Sequence, residues 1–118
     1  THIRLELARE PGAPAGDPGD GWDIVAVLDP EGRLDPEGCR AQAARLHVRR
    51  FEDGQTVDTG TLKHGPGGRW FLDLADDGEP DAAGFRFSEE RFVVGEYVSL
   101  TETGGEPRTY VVARVVEV

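Results

Sequence analysis

The chain has 118 residues with an apolar share of 37%, and its 16 glycines and 8 prolines favour many short elements joined by turns over long helices. This length supports one core, so residues 1–118 read as a single β-rich domain. The lone cysteine, Cys39, excludes an intrachain disulfide and the disulfide-stapled class of small secreted folds, and a net charge of −10 opposes the phosphate attraction on which nucleic-acid binding depends.

The start of the chain, Thr1 to Glu6, lacks the basic and apolar regions of a signal peptide. Ile3, Leu5 and Leu7 then alternate with Arg4 and Glu6, the period of a half-buried strand over residues 2–8. Residues 10–21 are almost all turn formers and read as an exposed loop, and a second strand follows over 22–28. Ile24 to Leu28, the longest apolar run, is far below the ~18 residues that a membrane helix needs.

The tetrapeptide Asp-Pro-Glu-Gly occurs at 29–32 and again at 35–38. Its first copy suits a type I turn. Its second precedes a helical stretch, with Asp35 as the N-cap, Pro36 as the first helical residue and Glu37 in the first turn, which predicts one short helix over 36–45.

Strands are expected at 46–51 and 55–64, joined at Asp53-Gly54, and at 69–74 after the turn Gly65-Pro66-Gly67-Gly68. Residues 75–84 form a charged loop, and Phe85-Arg86-Phe87 briefly restarts the β pattern. The clearest hairpin spans Phe92 to Val118, turning between Thr103 and Pro107. Seven or so antiparallel strands with one helix predict a mainly β fold, a small barrel or sandwich.

Charge is unevenly distributed. Residues 1–38 carry 9 acidic and 3 basic side chains and residues 73–118 carry 11 and 4, whereas residues 39–72 carry 3 and 6. This basic island contains Arg40, Arg45, His47, Arg49, Arg50, Lys63, His64 and Arg69, with Phe51 and Trp70 among them. A cationic surface beside aromatic rings suits a carboxylate, a phosphate or a nucleic-acid strand, and its simpler role is internal neutralisation by the acidic flanks.

No catalytic or metal-binding pattern stands out. Asp73, Asp76, Asp77, Glu79 and Asp81 are dense but lack the order of a calcium loop, as do Asp29, Glu31, Asp35 and Glu37. His2, His47 and His64 lack zinc spacing. Cys39 has a base only if the fold brings it to His47 or His64.

Phe92-Val93-Val94-Gly95-Glu96-Tyr97-Val98, followed by Arg108-Thr109-Tyr110, resembles the two-strand signature of ferredoxin-reductase-type flavin barrels, which would give Arg108 and Tyr110 contacts to a flavin and its phosphates. Val94 and Val111 stand where that family has Pro and Ser. The same segment is similar to a pattern of PUA-like and ASCH-like RNA-associated barrels. Over its whole length the chain looks most like a group of small uncharacterised bacterial proteins, a resemblance that carries no activity.

The expectation is therefore a cytoplasmic, non-enzymatic binding or accessory module without a cofactor or metal. It would meet a protein partner or a second copy of itself, not a membrane and not nucleic acid. Its contact residues would be Arg45, His47, Arg49, Arg50, Lys63, His64, Arg69, Arg108 and Tyr110. A barrel for flavin or another phosphorylated ligand is the alternative, and an RNA-associated barrel the next.

Overall fold

Eight antiparallel strands, each hydrogen-bonded to its neighbour in sequence, form a closed barrel in the computed structural model. Residues 1–9, 15–65, 69–74, 81–84, 87, 89–102 and 105–118 are described. The strands are β1 (His2–Arg9), β2 (Asp17–Val25), β3 (His47–Glu52), β4 (Gln55–His64), β5 (Trp70–Leu74), β6 (Ala82–Gly84), β7 (Tyr97–Glu102) and β8 (Pro107–Val116). Pairing of β8 with β1, from His2 opposite Val116 to Arg9 opposite Thr109, closes the sheet. No helix among the described residues is long and apolar enough to cross a membrane.

Alternation sorts the side chains. Ile3, Leu5 and Leu7 of β1, Trp22 and Ile24 of β2, Leu72 of β5, Leu100 of β7 and Val112 of β8 are buried in one apolar cluster. Arg4, Asp23 and Arg49 meet in ion pairs on the opposite face of β1, β2 and β3. Apolar residues inside and charges outside are the reverse of the pattern of a membrane-spanning barrel.

The strand directions define two ends. At one, where β2 stops and β3 begins, the connection over residues 26–46 forms a cap together with Phe87 and Phe92, placing Leu34, Cys39 and both phenylalanines in the core. Arg91 and Phe92 donate hydrogen bonds to the carbonyls of Glu31 and Gly32, which ties the two parts of the cap together. The other end carries the β3–β4 turn, where Asp53 and Gly54 both have positive φ, 51° and 75°, as a tight primed turn demands.

The mainly β class agrees with expectation, with eight strands where the sequence suggests about seven. Helix α1 is shorter than the predicted 36–45: it covers Pro36–Ala41, and a 3₁₀ turn follows at Ala43–Arg45. Its start agrees in detail, because Asp35 is the N-cap and accepts a hydrogen bond from the Gly38 amide. Residues 17–21, expected in a loop, belong to β2: a bulge after Glu6 brings Leu7 opposite Asp17, so tertiary pairing overrides turn-forming composition.

Residues 82–84, also expected in a loop, form β6 between β5 and β7. Residues 26–28 and 92–96 lie outside the strands: Leu28 makes an isolated bridge to Leu34, and Gly95 turns the chain with φ of 94°. The expected restart at Phe85 and Arg86, and much of the loop over 75–84, fall outside the described residues.

Phe51 is fully buried on the outer side of the sheet. It lies over Gly21, and the guanidinium carbons of Arg4 and Arg49 sit 4.2 and 5.1 Å from its ring centroid. A Cβ at Gly21 would meet the Leu5 carbonyl oxygen at 1.9 Å and the Phe51 ring at 2.9 Å. Gly21→Ala is therefore expected to destabilise the fold by about 2–3 kcal/mol, lowering the thermal midpoint by roughly 10 °C in a calorimetric scan.

Candidate functional site

Two arrangements stand out, one at each end of the barrel. At the polar end, β3 turns Arg50 toward the interior, where its side chain is 5% exposed. Its guanidinium donates to Asp20 at 2.6 Å, to Glu102 and Glu52 at 3.1 Å each, and to the Gly21 and Phe51 carbonyls. Arg108 of β8 donates to the second Asp20 oxygen at 3.1 Å. Trp22 and Tyr110 pack against this network, their rings 5.4 Å from the Arg50 and 5.9 Å from the Arg108 guanidinium carbon.

The electrostatics follow from this enclosure. Burial works against the Arg50 charge, but the hydrogen bond to Asp20 and the charges of Tyr110, Asp20 and Glu102 together outweigh it and raise its pKa. Burial also pushes the Tyr110 phenol above its ordinary value, with partial opposition from the Trp22 indole and from Arg108 and Arg50. Asp20, Arg50, Glu102 and Arg108 thus neutralise one another, and their arrangement is that of a structural plug.

A second ion-pair group lies on the outer face. Asp23 accepts hydrogen bonds from His2 at 2.8 Å and Arg49 at 2.6 Å, and Arg4 approaches it at 3.6 Å. Arg49 also donates to Thr56. This group laces β1, β2 and β3 together and holds the two guanidinium groups against Phe51.

The capped end offers a cleft. A space of about 390 Å³ opens between α1, the 3₁₀ turn and the β4–β5 hairpin. Leu46, Leu62, Trp70 and Phe71 form its apolar wall, with Arg40, Lys63 and His64 also lining it. His64 stacks on Trp70 with ring centroids 4.3 Å apart. Lys63 is paired at 2.7 Å with Asp73, which is fully buried. Arg40 is exposed and makes no ion pair among the described residues.

The proposed contact residues are therefore divided among separate places. Lys63 and His64 share the cleft, while Arg45 and His47 lie on neighbouring depressions beside the 3₁₀ turn. Arg69 is exposed next to β5. Arg49 belongs to the outer-face group, and Arg50, Arg108 and Tyr110 belong to the polar end. Internal neutralisation thus accounts for Arg49, Arg50, Lys63 and Arg108, but not for Arg40, Arg45 or Arg69 among the described residues.

Cys39 and His64 line the same cleft, a proximity that sequence spacing could not supply. The thiol is buried, its sulfur lies 3.5 Å from the Val27 carbonyl oxygen, and burial raises its pKa, which disfavours the nucleophilic thiolate. Among the described residues no three His, Cys, Asp or Glu side chains converge on a metal position. Asp73 is spent on Lys63 and Asp81 on the Leu74 amide, while Asp76, Asp77 and Glu79 lie outside the described residues.

Two outcomes test the contrast between the ends and faces of the barrel. Arg50→Met leaves Asp20 and Glu102 with Arg108 as their remaining cation and removes five hydrogen bonds made by a buried guanidinium, and is expected to cost about 3 kcal/mol in urea unfolding, whereas Arg49→Met leaves Asp23 with His2 and Arg4 and is expected to cost less than about 1 kcal/mol. The raised Tyr110 pKa contributes stability that is whole below pH ~10 and is lost as pH rises through the folded-state value. Tyr110→Phe should consequently flatten the alkaline fall in unfolding free energy above pH ~10, with little change at neutral pH.

Comparisons with family models, curated proteins and solved structures find no match to this chain, so its function has to be read from these residues and their geometry.

Proposed function

We propose that the protein is a non-enzymatic binding module of the cytoplasm that acts through contact with a protein partner, met at the capped end of the barrel. The observation that carries this is the cleft beneath α1, where an apolar and aromatic wall adjoins Arg40, which makes no ion pair among the described residues, in a chain of net charge −10. Solvent-facing loops and turns held by a rigid sheet are the usual seat of recognition. A single cysteine, kept as a buried thiol, suits a reducing compartment.

The barrel interior supports a packing role. Trp22, Trp70, Tyr110, Leu72 and Leu100 are each no more than 1% exposed within it. A flavin or phosphorylated ligand would need Arg108, and an RNA strand would need Arg49 and Arg50. Asp20, Asp23 and Glu102 already engage those guanidinium groups.

A photo-crosslinking residue at Ala43, exposed on the cleft, is expected to give one discrete protein adduct in the native host, and the same residue at Val57, exposed on β4, none. Adducts of equal yield and identity from both positions, or none from Ala43, would overturn the proposal.

A further inference from the structure

The chemistry of the cleft narrows what it can hold, and the identity of its occupant rests on the binding-module proposal. Its wall places Leu46, Leu62 and Phe71 beside the His64–Trp70 stack, a surface for an apolar side chain. Its cations differ in availability. Lys63 is committed to the buried Asp73, whereas Arg40 is exposed in the last turn of α1 and makes no ion pair among the described residues. The guanidinium of Arg40 is therefore the group with capacity for an incoming carboxylate.

Trp70 completes this wall: it is 1% exposed and lies stacked against the exposed His64 ring.

From these features we infer that the cleft receives a short acidic segment of the partner protein, with an apolar side chain adjacent to a carboxylate. The apolar group occupies the wall formed by Leu46, Leu62 and Phe71, and the carboxylate pairs with Arg40. At about 390 Å³ the cleft accommodates side chains of a peptide segment and not a folded domain. The strongly acidic remainder of the surface repels partners of like charge and so confines an acidic segment to this place.

The test is fluorescence anisotropy with the labelled peptide Gly-Glu-Leu-Glu-Phe-Asp-Gly and a control in which every acidic residue is Lys. The acidic peptide is expected to bind the full chain saturably and the control not to bind. Arg40→Glu, a change at an exposed position that leaves the core intact, should weaken binding at least about tenfold, and Arg40→Lys, which keeps the charge, by less than about threefold. Circular dichroism of both variants checks that the barrel is retained.

Equal binding of the two peptides, no saturation with the acidic one, or unchanged affinity in folded Arg40→Glu would overturn the inference. Mapping the adduct from Ala43 separates the two proposals. A crosslink to a basic or wholly apolar segment would overturn the acidic occupant and leave the binding module standing, and failure of all crosslinking would remove both.

Discussion

The pairing of β1 with β8 is the constraint that organises this fold. A linear sequence of eight strands would otherwise leave two unpaired edges, each a template for association with another chain. Closing the sheet satisfies those backbone groups within the molecule and encloses a bore narrow enough for side chains to fill. Ile3, Leu5 and Leu7 on one closing strand and Tyr110 and Val112 on the other are all at most 3% exposed, so the seam is a continuous part of the core.

Closure also dictates where polar groups can go. A barrel of this size has two ends through which water can reach the core, and this chain treats them differently. At one end inward-pointing Arg50 is enclosed by Asp20, Glu52 and Glu102, with Arg108 bound to the same Asp20, so both cations are paired within the fold. At the other, an apolar cap built around Leu34, Cys39, Phe87 and Phe92 excludes water, and its packing against β4 and β5 is incomplete enough to leave a cleft. The proposed recognition lies at the end where Arg40 makes no ion pair among the described residues.

Much of this architecture is legible in the sequence because local chemistry and global fold agree. The period of two in β1, Asp53-Gly54 between β3 and β4, and Asp35-Pro36 at the start of α1 each carry their own physical signature. The start of β2 does not. Asp17 to Gly21 is built of turn formers and joins the sheet through a bulge opposite β1 and through Asp20 binding Arg50 and Arg108, partners remote in sequence. The missed role of Asp20 has the same origin: once it is placed in a loop, its inward direction cannot be read.

The candidate site is legible only in composition. The excess of cations over residues 39–72 marks an unusual region, and the alternation over 46–51 separates Arg49 from Arg50. Which cations are neutralised depends on contacts such as Lys63 with Asp73 and Arg49 with Asp23, the latter 26 residues apart. Only the folded register reveals that Arg40, at the end of a six-residue helix, is left facing a wall supplied by β4 and β5.

Amide hydrogen exchange along β1 and β8 addresses the central claim most directly. In a closed barrel both strands exchange as slowly as β2 and β3, through global unfolding alone. Fast exchange along one side of either strand, with β2 and β3 still protected, would mean an open sheet with free edges and would contradict the closed architecture.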